Sequence, residues 1–390
     1  MFSVMLSKAR QYLRPNFKKG GGRLINNRKI ANNVIGCKIY PELRTGMIEQ
    51  CSTYAENIII LYRKSLFDFH DSYVEKFSVK NRKCSRIGVL FHLLMNDFRI
   101  VELTEPLFLR EILNNLMYSI FLKIKSIVLM REMPSIVTYC IENVDMSEKV
   151  KFHLGRKMVF VWPIIKLIIL FNVKMCSKIA FGTPSAKEEY FSLFGSTLRK
   201  KENKEFNPAE GQCPSCFINK KRRQSIVFIG SLDDRKGIKE VMEVWPVISR
   251  ELREADLTIV GKGYLEKYVI DWSLSQINVR VIVNPDREYI HEVLVSSETL
   301  ILPSVSSVVW REQIGLPITE GLSHGCKIIS TNTTGISQFL RENGHLVVSN
   351  LIDSTEEIIR FIKINKTPLS ILKSLPLIGG REEAELWLWK

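Results

Sequence analysis

At 390 residues, 45% of them hydrophobic, the chain is too long for one small core and apolar enough to exclude general disorder. Its formal net charge of +15 is unevenly placed: residues 1–224 hold 38 Lys and Arg against 19 Asp and Glu, and the remainder holds 18 against 22. The basic half favours an anionic partner: lipid headgroups, a phosphorylated acceptor or nucleic acid. Its basic runs are not interleaved with aromatics and carry no recognisable binding motif, so nucleic acid is not an expected partner and a basic nucleic-acid-binding protein stays an alternative reading.

In chain order, residues 1–50 form a basic N-terminal segment. Lys8, Arg10, Arg14, Lys18 and Lys19 punctuate its start, which does not read as a secretory signal. Gly20-Gly21-Gly22 follows no strand and reads as a turn rather than a phosphate loop. Residues 51–200 read as an α/β domain, with strands over 56–62, 98–103, 126–130 and 136–141 and helices over 107–125 and 157–174. The apolar run 158–173 is short for a membrane span and is interrupted by Pro163 and Lys166. It reads as a buried core helix or as an interfacial one, giving a soluble or peripheral cytoplasmic protein that contacts an anionic membrane. Strand C-termini line the ligand crevice in such domains, which singles out Glu105, Arg131 and Glu142 as candidates to face it. His70, His92 and His153 sit at uninformative positions.

Residues 201–224 carry Pro208, Gly211, Pro214 and the run Lys220-Lys221-Arg222-Arg223, a linker signature. Cys213 and Cys216 form a C-x-x-C pair, but zinc normally wants two more ligands at matching spacing and none is evident. The cysteines therefore read as thiols of a reducing compartment, and no metal is expected.

Residues 225–366 alternate regularly: strands over 225–230, 257–261, 279–283, 299–302, 327–330 and 345–348, with helices over 238–254, 264–275, 317–324 and 354–364. That alternation argues a parallel sheet with helices on both faces. Three turns in this half converge on a phosphorylated ligand. The first is Gly230-Ser231-Leu232-Asp233-Asp234-Arg235-Lys236-Gly237, where a strand runs into a helix and two cations stand ready for phosphate oxygens. The second is Gly261-Lys262-Gly263, which permits a sharp turn and close backbone approach. The third is Glu312-Gln313-Ile314-Gly315-Leu316-Pro317-Ile318-Thr319-Glu320, placing one carboxylate in a loop and one on the first turn of a helix.

In this order and spacing the three turns resemble the donor domain of the GT-B glycosyltransferases of family 4, over about residues 226–348. The resemblance implies a GT-B α/β fold, two Rossmann-like domains facing each other across a cleft, with 51–200 as the acceptor domain, Glu105, Arg131 and Glu142 on its acceptor side, and 225–366 as the nucleotide-sugar donor domain. It implies a retaining hexosyltransferase that takes a UDP- or GDP-sugar to a glycan or lipid-linked acceptor in surface-polysaccharide or glycolipid assembly, without a bound metal. Lys236 would bind the diphosphate, with Gly230, Ser231 and Arg235 beside it and Gly261 and Gly263 lining the site. Glu312 would contact the sugar hydroxyls, Gly315 and Leu316 would offer backbone N–H groups, and Glu320 would hold the ribose. Ser231 stands where the family commonly has arginine, and Gln313 and Ile314 replace a small and an aromatic residue. The tail, 367–390, does not read as the long helix that crosses back to the first domain in this family, although Trp387 and Trp389 are potential anchors. A sugar-nucleotide epimerase of the same architecture is the alternative enzyme.

Overall fold

The structure, a computed structural model, describes residues 36–44, 47–48, 58–65, 75, 79–213 and 221–390. Gly20 to Gly22, His70 and Cys216 lie outside them. Two parallel sheets organise the chain. The first comprises β1 (Gly36–Leu43), β2 (Ile58–Ser65), β3 (Lys80–Lys83), β4 (Ile100–Glu102), β5 (Ser135–Cys140), β6 (Lys178–Phe181) and β7 (Glu202–Glu205), in the order β3-β2-β1-β4-β5-β6-β7. The second comprises β8 (Arg222–Ile229), β9 (Asp256–Gly261), β10 (Val279–Val283), β11 (Ser297–Leu302), β12 (Lys327–Thr331) and β13 (Leu346–Val348), in the order β10-β9-β8-β11-β12-β13.

The strand sequences explain their places. Inner strands are covered on both faces, so β2 opens with Ile58-Ile59-Ile60-Leu61 and β8 carries Ile226-Val227-Phe228-Ile229, all buried. The first sheet's edge strands read Lys-Asn-Arg-Lys and Glu-Asn-Lys-Glu, charged and largely open to solvent, which discourages pairing with another chain. In the second half, the helix Ile238–Glu251 presents Val241, Val244, Trp245 and Ile248 to the core at helical spacing.

Several expectations for the first half are corrected. Residues 126–130 are no strand: the apolar run is the end of a 17-residue helix, Ile112–Val128, closed by Met130 at φ 49°. Its apolar and β-branched residues fit either period, and the length of the helical run decides. β1 falls inside the stretch read as a basic N-terminal segment, and β7 inside the stretch read as a linker. The helices Arg86–Met95, Met146–Leu154 and Pro184–Leu198 went unread, as did β1, β3, β6 and β7.

The tail departs furthest from expectation. The helix Gly380–Leu388 returns to the first sheet, where Ala384 and Leu388 pack on Val137 and Ala180 of β5 and β6 beside Phe206. Two of its charges, Arg381 and Glu385, join a buried cluster with Lys38 and Glu102. Lys38 lies 3.3 Å from Glu102 and 2.7 Å from Glu385, and Arg381 lies 3.0 Å from Glu102 and 2.8 Å from Glu385. The Trp389 indole N–H donates to Glu102 at 3.1 Å. Burial alone would raise the Glu102 carboxyl, but Lys38 and Arg381 hold it down to about 2.

Among the described residues no helix is long and apolar enough to cross a membrane. The helix Met158–Met175 is tied at one end to the helix Ile112–Val128, with Ile169 and Val173 buried and Asn172 donating to the Ile112 carbonyl at 3.0 Å. At its other end Phe160, Ile164 and Leu167 are exposed.

Candidate active site

The loop after β8 is shaped from within. Asp233 accepts from the Arg235 N–H at 3.1 Å and pairs with its guanidinium at 2.7 Å, starting a single turn over Asp234–Lys236. Gly237 ends that turn at φ 75°, where a Cβ would stand 2.1 Å from the Pro303 carbonyl oxygen. The chain then enters the helix Ile238–Glu251 with Lys236 pointing across to the loop after β11.

There the Lys236 ammonium meets Glu312 Oε2 at 2.5 Å, and the Ser304 hydroxyl donates to the same oxygen at 2.8 Å. The Trp310 ring lies 5.4 Å from the Lys236 Nζ and 5.0 Å from the Arg235 guanidinium, within cation–π range of both. Glu312 is 7% exposed. Ammonium and carboxylate neutralise each other, so each is ready-made to exchange its partner for a phosphate or a hydroxyl at modest desolvation cost.

Gly315, at φ 80°, starts the helix Leu316–Ser323. Backbone N–H groups at such a helix start have no helical partner and suit anionic oxygens. Glu320 lies one turn further on and pairs with Arg287 at 2.6 Å, from the helix Arg287–Ser296. Arg287 escaped the sequence reading because that helix did.

Gly261 and Gly263 serve the chain itself. A Cβ on Gly261 would stand 1.9 Å from the Gly230 carbonyl, and one on Gly263 2.2 Å from the Leu232 carbonyl. The two loops lock there, with Leu232 N–H donating to Lys262 and Leu265 N–H to Leu232, both at 3.0 Å. The close approach inferred from the sequence is real, but backbone fills it. Gly230, with nothing nearer than 3.5 Å to an added Cβ, and Ser231 are the bend between strand and turn.

The first sheet contributes a carboxylate pair at its C-terminal edge. Glu105, after β4, accepts from the backbone N–H groups of Ile141 at 3.0 Å and Glu142 at 2.9 Å and from the Tyr190 hydroxyl at 3.3 Å. Burial, then the nearby Glu142 charge, pushes its carboxyl up to about 8. Glu142, after β5, pairs with Lys149 at 2.8 Å. Next to it, Asn143 donates to the Glu312 carbonyl at 3.0 Å, which also accepts from Gly335 N–H at 3.0 Å. The C-terminal edges of the two sheets therefore meet at Asn143 and Glu312. Beside that junction a pocket of about 340 Å³ opens between Pro184, Glu205 and Phe206 on one side and Gly335, Gln338 and Phe339 on the other.

Arg131 does not join this group. It precedes β5 rather than following a strand, so it stands at the opposite end of the sheet, exposed and paired with Asp97. His92 is buried in its helix and His153 is exposed. Two histidines that the sequence reading passed over come together instead: His324 Nε2 lies 2.8 Å from His291 Nδ1, with Cys213 Sγ 3.9 Å from the latter. Burial pushes the His324 imidazole down to about 4. The three are 78 and 33 residues apart in sequence, beyond any spacing motif.

Comparison with known proteins supports the same half of the chain. Residues 223–363 match the family described as Glycosyl transferases group 1. No curated protein matches the sequence significantly. Among solved structures, WaaG, a glycosyltransferase involved in lipopolysaccharide biosynthesis, superposes with a TM-score of 0.61 at 13% identity, covering 91% of this chain and 99% of its own. Anabaena HepE, solved in complex with UDP and glucose, gives 0.59 at 9% identity, covering 87% and 93%. The N-terminal domain of Candida albicans trehalose-6-phosphate phosphatase gives 0.62 at 12% identity, covering 96% and 99%. At these identities the likeness is one of fold. The chain has the GT-B architecture, and the residues matched by the group 1 family model are those of its second sheet with the surrounding helices.

Proposed function

We propose that the protein is a family 4 type, retaining hexosyltransferase that takes a sugar from UDP or GDP to a glycan or lipid-linked acceptor, in surface-polysaccharide or glycolipid assembly. The observation that carries this reading is the Lys236–Glu312 pair beside Trp310, built by two loops inside the group 1 segment. HepE, with UDP and glucose bound, is a protein of the same fold.

In this reading Lys236, assisted by Arg235, leaves Glu312 to neutralise the donor diphosphate, while the N–H groups of Gly315 and Leu316 meet its oxygens. The freed Glu312 carboxylate accepts from the sugar hydroxyls. Glu320, oriented by Arg287, accepts from the ribose. The bond from the anomeric carbon to the phosphate oxygen breaks and the nucleoside diphosphate departs. The acceptor oxygen bonds that carbon from the same face, and its proton passes to the departing phosphate oxygen. Lys236 bears the charge that develops, so no metal is assigned to the diphosphate. Glu105 and Glu142 line the acceptor side; Arg131, at the far end of the sheet, has no part. We include attachment to the inner face of an anionic membrane, supported by the exposed Phe160, Ile164 and Leu167 beside Lys166 on a basic domain.

Thermal shift with a panel of nucleotide sugars tests the donor assignment, since a ligand specific for the native state raises the midpoint. A UDP- or GDP-sugar should raise it in wild type and not in Lys236→Ala. Equal shifts in both would remove Lys236 from the site. Conversion of the sugar nucleotide without an acceptor would favour an epimerase instead.

A further inference from the structure

Cys213, His291 and His324 meet at the far end of the helix that carries Glu320, and all three ligand atoms lie within 4.8 Å of one another. Each comes from a different segment: Cys213 from the stretch joining the sheets, His291 from the helix Arg287–Ser296, and His324 from the end of the helix Leu316–Ser323. We propose that these three side chains form a binding site for a divalent zinc ion, which fastens the joining stretch to the two helices bearing Arg287 and Glu320.

The hydrogen bonds already set the ligand tautomer. His324 Nδ1 lies 2.7 Å from the Glu320 carbonyl, which can only accept, so the proton sits on Nδ1 and the Nε2 lone pair points at the cluster. A backbone carbonyl receiving the outer N–H of an imidazole is the usual support of a metal-bound histidine. Tetrahedral zinc, with bonds of about 2.0–2.1 Å to nitrogen and 2.3 Å to sulfur, sets ligand atoms about 3.3 Å apart for two nitrogens and about 3.6 Å for sulfur and nitrogen. The observed 2.8 Å and 3.9 Å bracket those values, so small side-chain rotations bring both pairs to the required spacing, and a solvent molecule supplies the fourth ligand. A thiolate with two imidazoles favours zinc over magnesium or calcium, which prefer oxygen. The thiolate also brings negative charge to a neighbourhood holding Lys221 and Arg287. The backbone is prepared as well, with the Cys213 N–H donating to the Ser323 carbonyl at 3.0 Å.

The position gives the ion a structural task. His291 follows Arg287 by one helical turn and His324 follows Glu320 by one, so an ion joining the histidines holds the Arg287–Glu320 pair in register. Its ligands are none of the residues assigned to the donor, and it does not depend on the transferase reading.

The test uses the full chain, tag removed and stripped with a chelator, titrated with Zn(II) and with Co(II) as a coloured substitute. One equivalent should bind, and the cobalt protein should show thiolate-to-metal charge transfer with the intense visible bands of a tetrahedral site. Cys213→Ser should abolish the charge-transfer band and weaken zinc binding at least ~100-fold, since even outer-shell losses cost about 10–100-fold. His291→Asn should weaken binding comparably while keeping the band. A pale octahedral cobalt spectrum in wild type, or zinc affinity unchanged in both variants, would overturn the site. If Cys213→Ser fails to fold, the wild-type cobalt spectrum and His291→Asn decide alone.

Discussion

The two sheets share an architecture but differ in how their C-terminal edges are made. The edge of the second sheet is built from loops, with turns at Gly237 and Gly315 aiming Lys236 and the Glu312 loop at each other. The edge of the first sheet is built from buried carboxylates, Glu105 held by backbone N–H groups and Glu142 by Lys149. A loop edge needs particular residues at short spacing and so leaves a motif. A carboxylate edge is assembled from separate strands and leaves none.

The largest expected effect would break this contrast if it failed. Lys236→Ala should lower transfer at least roughly 100-fold, the loss typical of one preorganised charge-stabilising donor, in a protein that still folds. Glu142→Gln, on the other edge, should cost less in kcat. A larger loss in Glu142→Gln would move the chemistry to the first sheet.

Next comes the buried cluster that ties the tail to the first sheet. Lys38→Met strands Glu102 and Glu385 beside a single cation, Arg381, and should cost about 3–5 kcal/mol in urea unfolding. A loss below about 1 kcal/mol would mean that the cluster's charges are dispensable to the fold.

Two glycines of one loop sharpen the comparison further. Gly237→Ala meets both a positive φ and the Pro303 carbonyl, and should destabilise by about 1–3 kcal/mol or more. Gly230→Ala meets nothing nearer than 3.5 Å and should be close to neutral in denaturant unfolding. Equal costs would contradict the local geometry.

The last effect, read as a slope with pH, concerns Glu105. Its native carboxyl, raised to about 8, keeps a proton that the unfolded chain loses above its ordinary 4.5. The native state thus binds more protons across that window, and this group's contribution to stability falls by about 1.4 kcal/mol per pH unit as pH rises from 4.5 towards 8, then levels off. Glu105→Gln keeps an oxygen for the N–H groups of Ile141 and Glu142 and removes the titration. Unfolding midpoints at pH 6, 7 and 8 should show the variant gaining on wild type; parallel profiles would put the Glu105 carboxyl near its ordinary range.

The second half was largely legible from sequence because its strands are short and mostly apolar, and local turn residues follow them: Gly230 after β8, Gly261 at the end of β9, Asn284-Pro285 after β10 and Pro303 after β11. All six strands of that sheet occur near their expected positions, from Arg222–Ile229 to Leu346–Val348. The helix Arg287–Ser296 was missed, and with it the partner of Glu320. In the first half, β3 and β7 are charged edge strands with no apolar period to detect, and residues 126–130 satisfy helix and strand patterns alike.

By itself, then, the sequence determined the alternating α/β class, the loop bearing Lys236 and the spacing of Glu312 and Glu320, because those depend on neighbours within a few residues. Only the tertiary structure decided that Lys236 closes on Glu312, that Asn143 reaches the same loop, that Arg381 and Glu385 are buried against Lys38, and that Cys213 joins two histidines. The physical reason is that a charge or a ligand atom acts through space. Its partner is chosen by how parallel strands stack, and no period along the chain records that choice.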